Sequence, residues 1–141
     1  MSGETNLSIL IRTMRPELQP GVFIFATVPD GTAIPASLTP LMIFRETEGI
    51  TLILTREAAE AAGLAVTFRC RMITLAVHSS LEAVGFLATI TQALADAGIA
   101  VNPVSAFHHD HLFVPEDRAE EALIILERLA GNSRVPAGLP K

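Results

Sequence analysis

Ser79, Ser80 and Glu82, with Gly85 after them, stand directly before an apolar helical stripe, and His108-His109-Asp110-His111 follows it. Ser79-x-x-Glu82 can act as a capping box, each side chain satisfying an orphan N–H of the first turn. Alternatively the turn leaves those N–H groups free for an anion, which the helix dipole also favours. Gly85 admits a ligand, or a packed backbone, without a Cβ in the way. Asn102, on the next extended segment, offers an amide, and Asp110 with His111 offers a second polar wall. Ser79, Ser80, Leu81, Glu82, Val84, Gly85, Asn102, Asp110 and His111 are therefore the candidate ligand-binding residues.

The histidines allow a second chemistry. In an extended strand His109 and His111 share a face, and with His78 they make a candidate metal set. Their ordinary use is to bond carbonyls or face solvent while Asp110 accepts turn hydrogen bonds. Catalysis has less support. His78 adjoins Ser79, yet neighbouring strand residues point to opposite faces, and no G-x-S-x-G elbow is present. Glu46 and Glu48 read as a solvated hairpin loop. No glycine loop of the phosphate-cradling kind occurs, so no cofactor is expected, and the chain is read as non-enzymatic.

Short elements must position these residues. Leu7, Leu10, Ile11 and Met14 behind Asn6 predict a helix over 7–18. Val22 to Val28 predicts a strand, and 29–40 a loop rich in Pro, Gly, Ser and Thr. Leu41 to Arg45 and Ile50 to Leu54 flank a turn closed by Gly49, a hairpin pattern. Thr55 caps a short helix over 56–62, and 66–77 reads as extended, interrupted at Arg69-Cys70-Arg71. Ala83, Leu87, Ile90, Leu94 and Ala97 predict a helix over 81–97 ended by Gly98. Ile99 to Ala106 predicts a strand, and Pro103, which donates no ladder bond, puts it at an edge or bulge. Leu112 to Val114 is a third strand, and 116–129 a final helix with acidic residues in its first turn.

Each half lacks one strand of a complete α+β unit, and strands shared across a joint sheet would supply both. The expected division is 1–70, a divergent first unit, 71–130, a second unit, and 131–141, a flexible tail. The 141 residues are half hydrophobic with a formal charge of −5, which suits a packed core and argues against nucleic acid as partner. No apolar run approaches the ~20 residues of a membrane span, and the polar N-terminus reads as no signal peptide, so a cytoplasmic protein without membrane contact is expected. Cys70 is the single cysteine, which excludes an intrachain disulfide.

Several phrases resemble the bacterial two-unit ACT-domain proteins of uncharacterised function. They are His78-Ser79-Ser80-Leu81-Glu82-Ala83-Val84-Gly85-Phe86, Ala97-Gly98-Ile99-Ala100-Val101-Asn102 and His109-Asp110-His111-Leu112-Phe113-Val114-Pro115. In the first half the resemblance continues through Phe44-Arg45-Glu46, Glu48-Gly49-Ile50-Thr51-Leu52 and Phe68-Arg69-Cys70. It implies an α+β fold of tandem ferredoxin-like βαββαβ units, with antiparallel sheets and helices on one face. It further implies a small ligand, commonly an amino acid, bound by the first strand–helix turn where units pair, in a homodimer or higher homo-oligomer. Many ACT domains carry an Asp before a Pro-Gly pair in that turn. Here residues 79–85 keep the glycine and lack both others. A ligand-free oligomerisation module, and a metal-binding protein built on residues 108–111, are the alternative readings.

Overall fold

The computed structural model describes residues 3–131, so the expected tail at 131–141 lies, beyond Gly131, outside the described residues. The chain forms two compact units, Met1–Gln19 with Met72–Lys141, and Pro20–Arg71.

The discontinuous unit begins with helix α1 (Leu7–Thr13), capped by the Asn6 side chain accepting from the Ile9 N–H at 3.1 Å. The helix is shorter than the 7–18 expected. Pro16 has no N–H and disfavours helical geometry in the residue before it, so the chain turns extended as strand β1 (Arg15–Leu18). β1 pairs antiparallel with β5 (Cys70–Ala76), Pro16 opposite Leu75 and Leu18 opposite Ile73. Helix α3 (Phe86–Asp96), strand β6 (Asn102–Ser105), strand β7 (Asp110–Pro115) and helix α4 (Ala119–Leu129) complete the unit. The strand order is β1, β5, β7, β6. This is the ferredoxin-like order, with β1 from the N-terminal segment in the place of the strand missing after α4.

Alternation along β5 and β7 decides which face is covered. Ile73, Leu75, Leu112 and Val114 form one core with Leu10 and Met14, with Phe86, Ile90 and Leu94 of α3, and with Ala119, Ala122 and Leu126 of α4. At about 25 cal/mol per Å² of apolar surface, that shared face dominates the unit's stability. Pro103 sits in β6 opposite Leu112, at the end of the strand order, as its missing donor requires. Arg118, in a 3-10 turn before α4, donates from Nη2 to the Ala97 carbonyl at 3.1 Å, satisfying the C-terminal end of α3. The final helix therefore starts at Ala119, after that turn, instead of at Glu116.

In the continuous unit, β2 (Phe23–Val28) lies between β4 (Gly49–Thr55) and Cys70, with β3 (Met42–Glu46) beyond β4. Ile24, Ile50, Leu52 and Leu54 pack on Ala59 of helix α2 (Arg56–Ala61), whose cap is the Thr55 hydroxyl, accepting from Ala58 N–H at 3.2 Å. The β2–β3 connection holds only a 3-10 turn, Ala36–Leu38, in the loop expected there. Strand β5 starts later than the extended run expected from 66, because Phe68 has a left-handed backbone (φ 48°). Cys70 is fully buried, donates to the Phe23 carbonyl at 3.3 Å, and has its thiol pushed up to about 12 by burial. Such a thiol is inert. Among the described residues no helix is long and apolar enough to cross a membrane.

Candidate functional site

The turn between β5 and α3 differs from the helical start expected at Leu81. Gly85, at φ 91°, is the N-cap of α3, and the helix begins only at Phe86. A left-handed backbone costs about 1–2 kcal/mol with any other L-residue, so glycine fixes where the helix can start. The Ser79-x-x-Glu82 capping box is consequently not formed. The Ser80 hydroxyl instead accepts from the Glu82 N–H at 3.0 Å, and the Ser80 carbonyl from the Ala83 N–H at 3.0 Å. These bonds close residues 80–83 into a turn of their own. No side chain caps α3, so its first-turn N–H groups are available.

The N-terminal segment holds this turn from the other side. Glu4 N–H donates to the His78 carbonyl, and Ser80 N–H to the Glu4 carbonyl, both at 2.9 Å. Gly3 makes this approach possible, since a Cβ there would lie 2.7 Å from Ser80 N. Nothing in the polar start of the sequence signals that role. Leu7 of α1 also packs beside Gly85, 3.4 Å from where its Cβ would be.

Between the turn, the first turn of α3 and the β6–β7 connection lies a cavity of about 160 Å³. Of the candidate ligand-binding residues, Ser79, Ser80, Leu81, Gly85 and Asp110 line it. Phe86, Leu87, Ala88, Ser105 and Ala106 line it as well; these small and apolar positions carry no chemical signal in the sequence. Glu82, Val84, Asn102 and His111 are not among its walls. Val84 is 84 % exposed, and Asn102 is exposed at the start of the edge strand.

Among the described residues Asp110 is the only charged one lining the cavity, and it is 8 % exposed. Its Oδ2 accepts from the Ser79 hydroxyl at 3.3 Å. Among the described residues its Oδ1 accepts from no donor and no cation pairs with it. His111, one residue on, lies on the opposite sheet face, its Nδ1 3.0 Å from the Thr74 hydroxyl. The two residues therefore do not form one wall.

The remaining histidines are spread out. His109 Nδ1 is 3.3 Å from the Val77 carbonyl, and its ring centre is 6.4 Å from that of His111. His78 stacks edge-on against His108 at 5.6 Å. Among the described residues no group of three or more His, Cys, Asp or Glu side chains is placed to hold a metal ion. The set His78, His109 and His111 is not assembled as a metal site.

The continuous unit holds a larger cavity of about 560 Å³, lined by Val28, Thr32, Ile34, Leu38, Ala58 and Leu64 among others. Among the described residues its lining carries no charged group, and its side-chain polar groups are the hydroxyls of Thr32 and Ser37.

This fold, with a cavity at the first strand–helix turn, defines an ACT-type module, and the sequence agrees. Residues 2–71 match one ACT domain and residues 67–128 a second, and the chain belongs to the ACT-domain family. It is 42 % identical, with a TM-score of 0.80, to a protein of unknown function from Vibrio cholerae described as a possible transport protein, over 92 % of this chain and 99 % of that one. A protein from Agrobacterium tumefaciens shares the fold at 18 % identity and TM-score 0.71, over 83 % of this chain and 89 % of that one. The regulatory subunit of aspartate kinase from Thermus flavus shares it at 14 % identity and TM-score 0.58, over 82 % and 96 %. No curated protein matches the chain.

Burial lowers the pKa of His111, the charge of His109 lowers it further, and Asp110 partly opposes both. As pH falls through about 6.5, the unfolded chain takes up the proton first. The stability linked to His111 is therefore complete above that pH and is lost as pH falls toward the lower folded-state value. His111→Gln is expected to flatten the decline of melting temperature between pH 7 and pH 5. An equally steep decline in the variant contradicts the assignment.

Proposed function

We propose that this chain is a non-enzymatic sensor whose ligand is an amino acid, held in the cavity between Ser79 and Asp110. The observation that carries this reading is the pairing of opposite demands in one small space. Asp110 is a carboxylate of low exposure whose second oxygen has no cation among the described residues, a position that suits an ammonium group. The uncapped first turn of α3 lines the same cavity and presents N–H groups and a partial positive charge suited to a carboxylate. An α-amino acid carries both groups on adjacent atoms.

The Ser80 to Gly85 turn closes the site with its own hydrogen bonds, so it needs no ligand to fold and can respond to one. Binding that favours one arrangement of the Glu4–Ser80 contacts over another shifts that equilibrium by the difference in affinity. A regulatory role accords with the aspartate kinase regulatory subunits that share the fold. A panel of the twenty amino acids in a thermal-shift assay tests the reading. At least one is expected to raise the melting temperature by a few degrees at saturating concentration; a flat panel contradicts it.

A second property is favoured by strand β3. It ends the strand order of the continuous unit, and Ile43 and Phe44 on it are 51 % and 61 % exposed. An apolar edge strand of this kind invites pairing with another copy. The chain is expected to run as a homo-oligomer in light scattering after gel filtration, and Phe44→Lys to weaken that state. A wild-type monomer at high concentration contradicts the assignment.

A further inference from the structure

Resting on the amino-acid reading of the cavity, we propose that the site selects by charge and size, taking small amino acids with uncharged side chains and rejecting acidic ones. Among the described residues, Asp110 is the one charged residue lining the cavity, and no Lys, Arg or His faces the space. An ammonium group on Asp110 and a carboxylate on the α3 N-terminus leave each charge of the ligand answered once. The helix end supplies roughly half a positive charge, enough for one carboxylate shared with water. A second carboxylate, as in aspartate or glutamate, finds no cation and lies near a buried carboxylate of the same sign. Glu82 is outside the cavity, so a basic side chain finds no second anion within it.

A cavity of about 150 Å³ accommodates benzene, about six heavy atoms, and this one measures about 160 Å³. Alanine has the same number of heavy atoms, glycine fewer and serine only slightly more. Ala83, Ala88 and Ala106 contribute only methyl groups to the walls, leaving the space open, and the Ser105 hydroxyl is a partner for a small polar side chain. Larger ligands protrude past Leu81, which is already 57 % exposed at the rim.

Calorimetric titration of the full chain with glycine, alanine, serine, aspartate and propionate tests the proposal. Propionate is alanine without its amine. Alanine, glycine or serine is expected to bind, with aspartate and propionate weaker by at least about tenfold. Asp110→Asn should lower alanine binding by at least about tenfold and narrow the gap to propionate. Ala88→Leu, which fills the cavity from an exposed helix position, should abolish alanine binding while leaving the melting temperature of the free protein unchanged. Aspartate binding as tightly as alanine overturns the selectivity and leaves the amino-acid reading standing. Propionate equal to alanine overturns the role of Asp110. No binding by any amino acid overturns the selectivity and the reading beneath it together.

Discussion

Asp110 sits on the covered face of β7, beneath the turn that leads into α3, with one hydroxyl partner and, among the described residues, no cation. A carboxylate in such a place favours a hydrogen-bond donor or an opposite charge beside it. The Ser79 hydroxyl answers one oxygen. The other faces a cavity whose far wall is the positive end of a helix. That arrangement sets the conditions for everything placed around it. The helix must begin late, its first turn must stay uncapped, and the segment before it must close on itself.

Gly85 and the N-terminal segment meet these conditions. A left-handed residue at 85 stops α3 from extending back to Leu81, the Ser80 hydroxyl takes the Glu82 N–H, and the Ser79 hydroxyl donates to Asp110 instead of capping. Gly3 then allows residues 3–5 to lie against 78–80 as a short parallel bridge. The same segment continues into α1, which packs Leu10 and Met14 in the core, and into β1, which takes the empty place beside β5. The start of the chain thus completes the unit that contains the cavity, and its order is linked to the order of the site.

Much of this was legible in the sequence because local rules and tertiary packing agreed. Pro103 forced an edge strand, Asn6 and Thr55 marked caps, and the apolar periods read over 81–97 and 116–129 put Ile90, Leu94 and Leu126 on the covered faces. The ACT-like phrases pointed to the turn between β5 and α3, where the structure has a cavity. The errors have separate physical causes. Ser79-x-x-Glu82 has the pattern of a capping box, but the backbone at Gly85 decides the helix start, and a glycine's φ is not written in its neighbours. Pro16 hid a strand behind a helical period. The pairing of Asp110 with His111 failed on strand alternation, once β7 proved to begin at Asp110. Asn102 belonged to the edge strand, yet at its exposed start. Ser105, Ala106 and Ala88 were invisible because small wall residues are recognised only by the space they leave.

The central claim is that an amino acid binds between Asp110 and the first turn of α3. Backbone amide shifts of isotope-labelled protein, followed during titration with alanine, test it at the residues themselves. The largest changes are expected at Phe86, Leu87 and Ala88, with Ser79 and Asp110 moving along the same saturation curve. Saturable changes confined to residues 28–64, or none anywhere, would contradict the account.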